Sequence, residues 1–375
     1  MKAMCRKTIL CVCLCVCLSF ILLITGCGAS KAESSVYASD TSYTDYNQYL
    51  HSHGFIAITS ESYVFLQDKQ LLFLPANTKS SELMPLCAEA NCDHKNSNCS
   101  SWVDTSSIYC WNDRLYYISL DSDMKYALYS MNIYGKDRRL EKAVSLLNHS
   151  NCGFSYQIYD GYLAIDYFDT TSEDTSPRYT IFLCKLDDNS QPECIFQDDD
   201  ISYLSMELRD GWVFAYAQNI ETKDISLWGM DVTTGEKSQF ASSIDLTVSP
   251  ILRGNDTLMW FAQGDGAYKV DLSDKQSIQQ FYSIQQEDST AWGFLDDKYL
   301  YLVDYETTHI MKIIDDHGAV IISIDCNSLD ISPYYVFSSI DKVFFCDLDS
   351  HKLIPCCYLE KAAIADGEAP FIMLE

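Results

Sequence analysis

Three cysteines and a histidine, Cys87, Cys92, His94 and Cys99, fall within thirteen residues as C-x4-C-x-H-x4-C, in the run Leu86-Cys87-Ala88-Glu89-Ala90-Asn91-Cys92-Asp93-His94-Lys95-Asn96-Ser97-Asn98-Cys99. Soft thiolates and an imidazole are the donors that close tetrahedrally on Zn²⁺ or iron, so the run offers the Cys₃His set of a structural metal site. The spacing is not that of a common zinc knuckle. The same residues also read as a disulfide that pins a long loop and leaves His94 exposed, or as a redox centre. Four protein donors leave no open coordination position, which argues against metal catalysis even where metal binds.

Other candidates are poorer in donors. The adjacent Cys356 and Cys357 could chelate a soft metal or form a strained vicinal disulfide, but alternate residues of a strand point to opposite faces, so a half-buried pair is the simpler reading. The acidic runs Asp187-Asp188, Asp198-Asp199-Asp200 and Asp315-Asp316 lack the glycine and terminal glutamate of a calcium loop, and suit charged hairpin tips. His51, His53, His149, His309, His317 and His351 stand singly. G-x-S-x-G, H-E-x-x-H, P-loop and G-x-G-x-x-G patterns are absent, so no catalytic residue is assigned.

A second chemistry belongs to Cys27. It follows Lys2, Arg6 and Lys7, an apolar stretch from Thr8 to Ile24, and the small residues Thr25 and Gly26. This is a secretory leader over 1–26 that ends at a cysteine able to carry lipid. Two acyl chains, palmitate among them, hold a protein at a membrane where one does so marginally. The competing expectation is an uncleaved anchor, because seventeen apolar residues sit at the short limit for a ~30 Å hydrocarbon core. Either way the chain after Gly28 works outside the cytoplasmic membrane. Residues 27–53, rich in Ser, Ala, Asp, Thr and Tyr, read as the lipidated N-terminus and a tether, and 54–375 as the folded domain.

Charge narrows the partners. The formal net charge of −27 becomes −30 without residues 1–26, which hold three basic side chains and no acidic one. Nucleic acid is excluded for want of a basic stripe, since Lys136-Asp137-Arg138-Arg139 is the one Lys/Arg cluster and reads as a solvated turn. Eleven of the seventeen cysteines follow Cys27, and an odd number cannot all pair within one chain.

These residues need a scaffold, and its signature is a repeat. An apolar stretch runs into a polar turn and out into a strand heavy in Tyr, Phe, Trp, Leu and Val, as in Tyr159-Asp160-Gly161-Tyr162-Leu163-Ala164-Ile165 and Phe294-Leu295-Asp296-Asp297-Lys298-Tyr299-Leu300-Tyr301-Leu302. Tight hairpins demand residues that tolerate positive φ or bond their own backbone. With Glu61, Asn112, Asp160, Asp210, Asn255, Asp296 and Asp341 as turn markers, successive spacings are 51, 48, 50, 45, 41 and 45 residues. A third strand follows most turns, as at Leu128–Ile133, Leu227–Val232 and Tyr268–Leu272, and another hairpin completes four strands. The expectation is an all-β propeller of four-stranded antiparallel blades, seven in number, with six or eight as alternatives. The last unit shows about three strands between Tyr334 and Leu359, so ring closure must draw on Phe371–Leu374 or on the strand near Phe55. A β-sandwich is the competing architecture.

The aromatic strand after each turn, as in Tyr299-Leu300-Tyr301-Leu302-Val303-Asp304, is similar to that of the six-bladed propellers of low-density-lipoprotein-receptor type and of the lipoprotein propellers of anaerobic Gram-positive bacteria. The resemblance covers roughly residues 54 to 360. It implies a fold and a location, and leaves function open. A Leu-Cys…Cys-x-His…Cys run after the first blade belongs to the same resemblance. Two functions follow as expectations. The first is a monomeric, cell-surface, lipid-anchored propeller that binds a peptide, glycan or partner protein without catalysis, structural zinc or iron being its one candidate cofactor. The second is an extracytoplasmic hydrolase or lyase of glycans or peptides, with carboxylates from different blades gathered in the propeller funnel.

Overall fold

The computed structural model describes residues 54–374 apart from 77–80, 97, 148–151, 170–177, 188, 199, 210, 243–250, 254–256, 263, 272–273, 286–289, 305–308, 330, 332, 340 and 350–351. The leader, Cys27 and the tether lie outside the described residues, as do the turn markers Asp210 and Asn255. Seven sheets of four antiparallel strands follow one another along the chain, spanning 56–85, 109–143, 152–196, 201–242, 251–283, 292–325 and 335–373. We number these blades 1 to 7. Among the described residues no helix is long and apolar enough to cross a membrane.

Each described turn marker (Glu61, Asn112, Asp160, Asp296 and Asp341) falls between the first and second strands of its blade. Asn112 and Asp113 take φ of 49° and 52°, and Asp160 takes 44° beside Gly161 at 77°, the left-handed pairs that a two-residue hairpin requires. Blades 1 and 7 use a hydroxyl instead. Thr59 Oγ1 accepts the Glu61 and Ser62 amides, and Ser339 Oγ accepts those of Asp341 and Lys342, a weaker turn device.

The second strands are buried on both faces because every sheet is sandwiched between two others. In blade 6, Tyr301 and Val303 pack with Val336, Val343 and Phe345 of blade 7, whereas Leu300 and Leu302 pack with Met259 and Phe261 of blade 5. The period-2 alternation of a strand therefore sends successive residues to opposite neighbours. The same division recurs at every junction, giving seven apolar interfaces for seven blades: 1/2, 2/3, 3/4, 4/5, 5/6, 6/7 and 7/1. That equality closes the ring.

Among the described residues, closure uses no exchanged strand. The fourth strand of blade 7 is Ile372–Met373, delivered by the short helix Lys361–Ala365, while Ile56–Ile58 stays in blade 1. Of the two sources of closure that the sequence allows, the C-terminal one completes the last blade, and side chains do the rest. Phe344 meets Tyr63 and Phe65 edge-on at centroid distances of 4.8 and 5.4 Å. Beside them Lys342 Nζ donates to Asp341 (2.9 Å) and to the Ala76 carbonyl (3.0 Å), and Tyr63 donates its hydroxyl to Asp341.

Candidate metal centre

The Cys87–Cys99 run interrupts the outer edge of blade 1. The fourth strand there is only Met84–Pro85, and the chain leaves the sheet after Leu86. Leu86 N–H donates to the Leu71 carbonyl (2.8 Å), and the Leu71 N–H donates to the Ser101 carbonyl (2.7 Å). Residues 86 and 101 are thus held to one residue of the third strand, Gln70–Pro75. The returning chain takes over the edge, with Trp102 bridging to Gln70 and Val103 N–H donating to the Lys69 carbonyl (2.7 Å). Residues 87–100 form a loop whose two ends are closed by the sheet before any metal or disulfide acts.

Inside that loop the donors converge. The Sγ atoms of Cys87, Cys92 and Cys99 and a ring nitrogen of His94 all lie within 4.8 Å of one another. A tetrahedral ion with bonds of about 2.0–2.3 Å would place its donors about 3.3–3.8 Å apart, and His94 Nδ1 lies 3.4 Å from Cys99 Sγ. Short turns set the pieces: Cys92 N–H donates to Glu89 O (3.2 Å) and Cys99 N–H to Asn96 O (3.0 Å). His94 sits in the left-handed region at φ 56°, a conformation that costs energy for a residue with a Cβ and recurs at ligand clamps. Cys99 is buried and the other three are partly exposed. None of the three sulfurs is disulfide-bonded.

Outer groups support the donors, as metal ligands require. Cys99 Sγ lies 3.0 Å from Ser101 Oγ and accepts the Ser101 amide at 3.4 Å. Burial would push the Cys87 thiol up, but hydrogen bonds from Ser100, the Glu89 backbone, Cys99 and Cys92 outweigh it and bring it down to about 6. At Cys92 the His94 backbone lowers the value, whereas Cys99, burial and Cys87 carry it up to about 11. One thiolate beside one retained proton is what mutual repulsion among clustered sulfurs dictates. A bound cation would displace whatever protons the thiols retain, so the donor set fits zinc or iron in a closed, non-catalytic role.

The remaining candidates stay apart. Cys357 is buried in the 6/7 interface and Cys356 is half-buried, their sulfurs 3.8 Å apart. Asp315 Oδ1 accepts the His317 and Ala319 amides, the work of a hairpin tip. Arg138 is more than a turn residue: its Nη2 donates to Ser100 O (2.7 Å) and Trp102 O (2.5 Å), clamping the return of the metal loop from blade 2. Gly135, at φ 74°, lies where a Cβ would stand 2.6 Å from the Leu86 carbonyl, so blade 2 also seats the departure of that loop.

A polar cluster at the 3/4 interface escapes the sequence reading. Gln157 Nε2 donates to Glu207 Oε2 (3.1 Å), Gln157 Oε1 accepts the Leu208 amide (2.6 Å), and Arg209 Nε lies 3.5 Å from Glu207. Asp166, buried on the neighbouring strand of blade 3, has its carboxyl raised to about 7 by desolvation. The available signal was the alternation Glu207-Leu208-Arg209 in an otherwise apolar first strand, which puts two opposite charges on one buried face.

No protein-family model and no curated protein matches the chain. Among solved structures it is similar to puromycin hydrolase, at 12% identity and a TM-score of 0.57 over 86% of this chain and 53% of that one. The S511A mutant of puromycin hydrolase aligns at 11% identity and 0.57, over 88% and 55%. A chain of the nidogen/laminin complex aligns at 13% identity and 0.39, over 71% and 93%. The chain spans about half the length of the puromycin hydrolases. Likeness at this identity is a likeness of fold, and this ring has seven four-stranded blades.

Proposed function

We propose that this chain is a lipid-anchored, extracytoplasmic propeller that binds a peptide, glycan or partner protein without turning it over, its first blade stapled by a Cys₃His metal ion. The observation that carries the reading is the closed donor set. Cys87, Cys92, His94 and Cys99 converge within 4.8 Å, so a bound ion keeps no position open for a substrate. A disulfide would use two of these groups and leave the inward position of His94 without a purpose. The ring itself is rigid, apolar at every junction and strongly acidic, suited to presenting a surface outside the cell.

The hydrolase alternative draws on Asp166 and Glu207, buried carboxylates of adjacent blades. A screen against glycan and peptide libraries decides between them. Binding without product is expected; turnover abolished by Asp166→Asn or Glu207→Gln would contradict the binding reading. The anchor is tested separately. Cys27→Ser should move the protein from the membrane fraction to the medium, or leave it unprocessed, with unchanged circular dichroism. Normal processing and membrane retention would replace the lipid by an uncleaved segment.

A further inference from the structure

Cys356 and Cys357 are consecutive residues of the third strand of blade 7, Lys352–Glu360, and strict alternation would send their side chains to opposite faces. A β-bulge prevents it. Phe345 pairs with Cys357 and Cys346 with Pro355, so Cys356 is the extra residue of the bulge. Both cysteines accordingly pack into the 6/7 interface, with Cys326 in the same cluster, and their sulfurs lie 3.8 Å apart. The Cys356 thiol donates to the Phe345 carbonyl (3.2 Å) and lies 3.5 Å from Asp347 Oδ1. Cys357 is buried and its thiol is raised, first by its hydrogen bond with Cys356 and then by burial, whereas Cys356 is half-buried. The more exposed sulfur is the one an oxidant reaches, and a second thiol already stands beside it.

The peptide that joins the two cysteines also holds the end of the chain. Its carbonyl, that of Cys356, accepts the Leu374 amide (2.8 Å), and Cys357 pairs with Met373. The last strand, Ile372–Met373, is only two residues long, so this bond and the packing of Phe371 edge-on to Phe345 at 5.5 Å are much of what keeps it in place. Adjacent Cα atoms stand about 3.8 Å apart across a trans peptide, short of the roughly 4.4–6.8 Å that an ordinary disulfide spans. A bond between these two sulfurs therefore closes a small ring whose strain falls on the joining peptide and turns its carbonyl away from Leu374. We propose that Cys356 and Cys357 are a reversible oxidation site, converted by a peroxide to a vicinal disulfide that loosens the strand completing blade 7. Cys356 Sγ attacks one oxygen of hydrogen peroxide, the O–O bond breaks, and a sulfenic acid and one water form. Cys357 Sγ then displaces the sulfenic oxygen as a second water and makes the S–S bond. The two thiols lose two electrons and two protons, and the peroxide takes up both. A strained pair of this kind is readily reduced again.

The test is treatment of the full chain with hydrogen peroxide, followed by peptide mass mapping and hydrogen exchange. The tryptic peptide Leu353–Lys361 carries both cysteines and none of the metal-loop thiols, and it should lose the mass of two hydrogens. Exchange at Leu374 should quicken at least about tenfold and return to its starting rate on reduction with dithiothreitol. Cys356→Ser, at the half-buried position, should abolish both responses, and Cys326→Ser should keep both. Conversion of Cys356 to a sulfinic or sulfonic acid with Cys357 unlinked, or a Cys326–Cys356 bridge, would overturn the inference. So would a Cys356–Cys357 disulfide that leaves the Leu374 exchange rate unchanged.

Discussion

Replacing Asp296 by alanine should destabilise the ring by about 3–5 kcal/mol in urea unfolding, the loss typical of breaking a buried ion pair from one side. The carboxylate is fully buried at the turn of blade 6. Its Oδ1 accepts the Lys298 and Tyr299 amides at 2.8 and 2.7 Å, and its Oδ2 receives Tyr301 Oη (2.7 Å), Ser338 Oγ (2.6 Å) and Lys361 Nζ (2.8 Å). Two of these donors come from blade 7 and its trailing helix, so one side chain forms the turn and joins two blades. Alanine strips Lys361, itself buried, of the nearer of its two carboxylates. Asp297→Ala, removing the more exposed partner, should cost less than about 1 kcal/mol. Burial would raise the Asp296 carboxyl, but Lys361 and the hydrogen bonds hold it below the usual carboxylate range. The stabilisation is therefore complete above the unfolded value of about 4 and lost as pH falls through the depressed folded value. The wild-type acid-stability curve should be steeper there than that of Asp296→Asn, and parallel curves would contradict this assignment.

Phe344→Ala should cost a similar amount, about 3–5 kcal/mol, the usual loss for a buried phenylalanine, and its effect should be localised. Phe344 lies between Tyr63, Phe65 and Tyr358 at the junction of the last and first blades. With no strand shared across that junction among the described residues, aromatic packing and the Lys342–Asp341–Tyr63 network keep the ring shut. Hydrogen exchange in the variant should quicken first in Ser62–Gln67 and Lys342–Asp349. Phe345→Ala, one residue on but facing blade 6, should lose comparable stability without that selective opening. Uniform acceleration over all blades in Phe344→Ala would show that closure lies elsewhere.

What the sequence made legible was local. Hairpin turns announce themselves through Asn112-Asp113 and Asp160-Gly161, and the spacing of such turns gives the blade number. The Cys87–Cys99 loop was legible because its four candidate donors fall within thirteen residues. Interactions between blades were not. Asp296 reads as a turn former, and nothing local shows that Lys361, 65 positions later, will reach it. Glu207 and Asp166 are hidden for the same reason, since their burial follows from the packing of blade 3 on blade 4. Arg138 looks like a solvated turn residue until the return of the loop through Ser100 and Trp102 is known.

The central claim, that Cys87, Cys92, His94 and Cys99 hold a structural metal ion, is tested most directly by metal analysis of protein purified without oxygen. One equivalent of zinc or iron per chain is expected, falling below a tenth in Cys92→Ser and recovered in Cys194→Ser, a change at an exposed thiol outside the cluster. Less than a tenth of an equivalent in the unsubstituted protein, together with a mapped disulfide at Cys87 or Cys92, would contradict it.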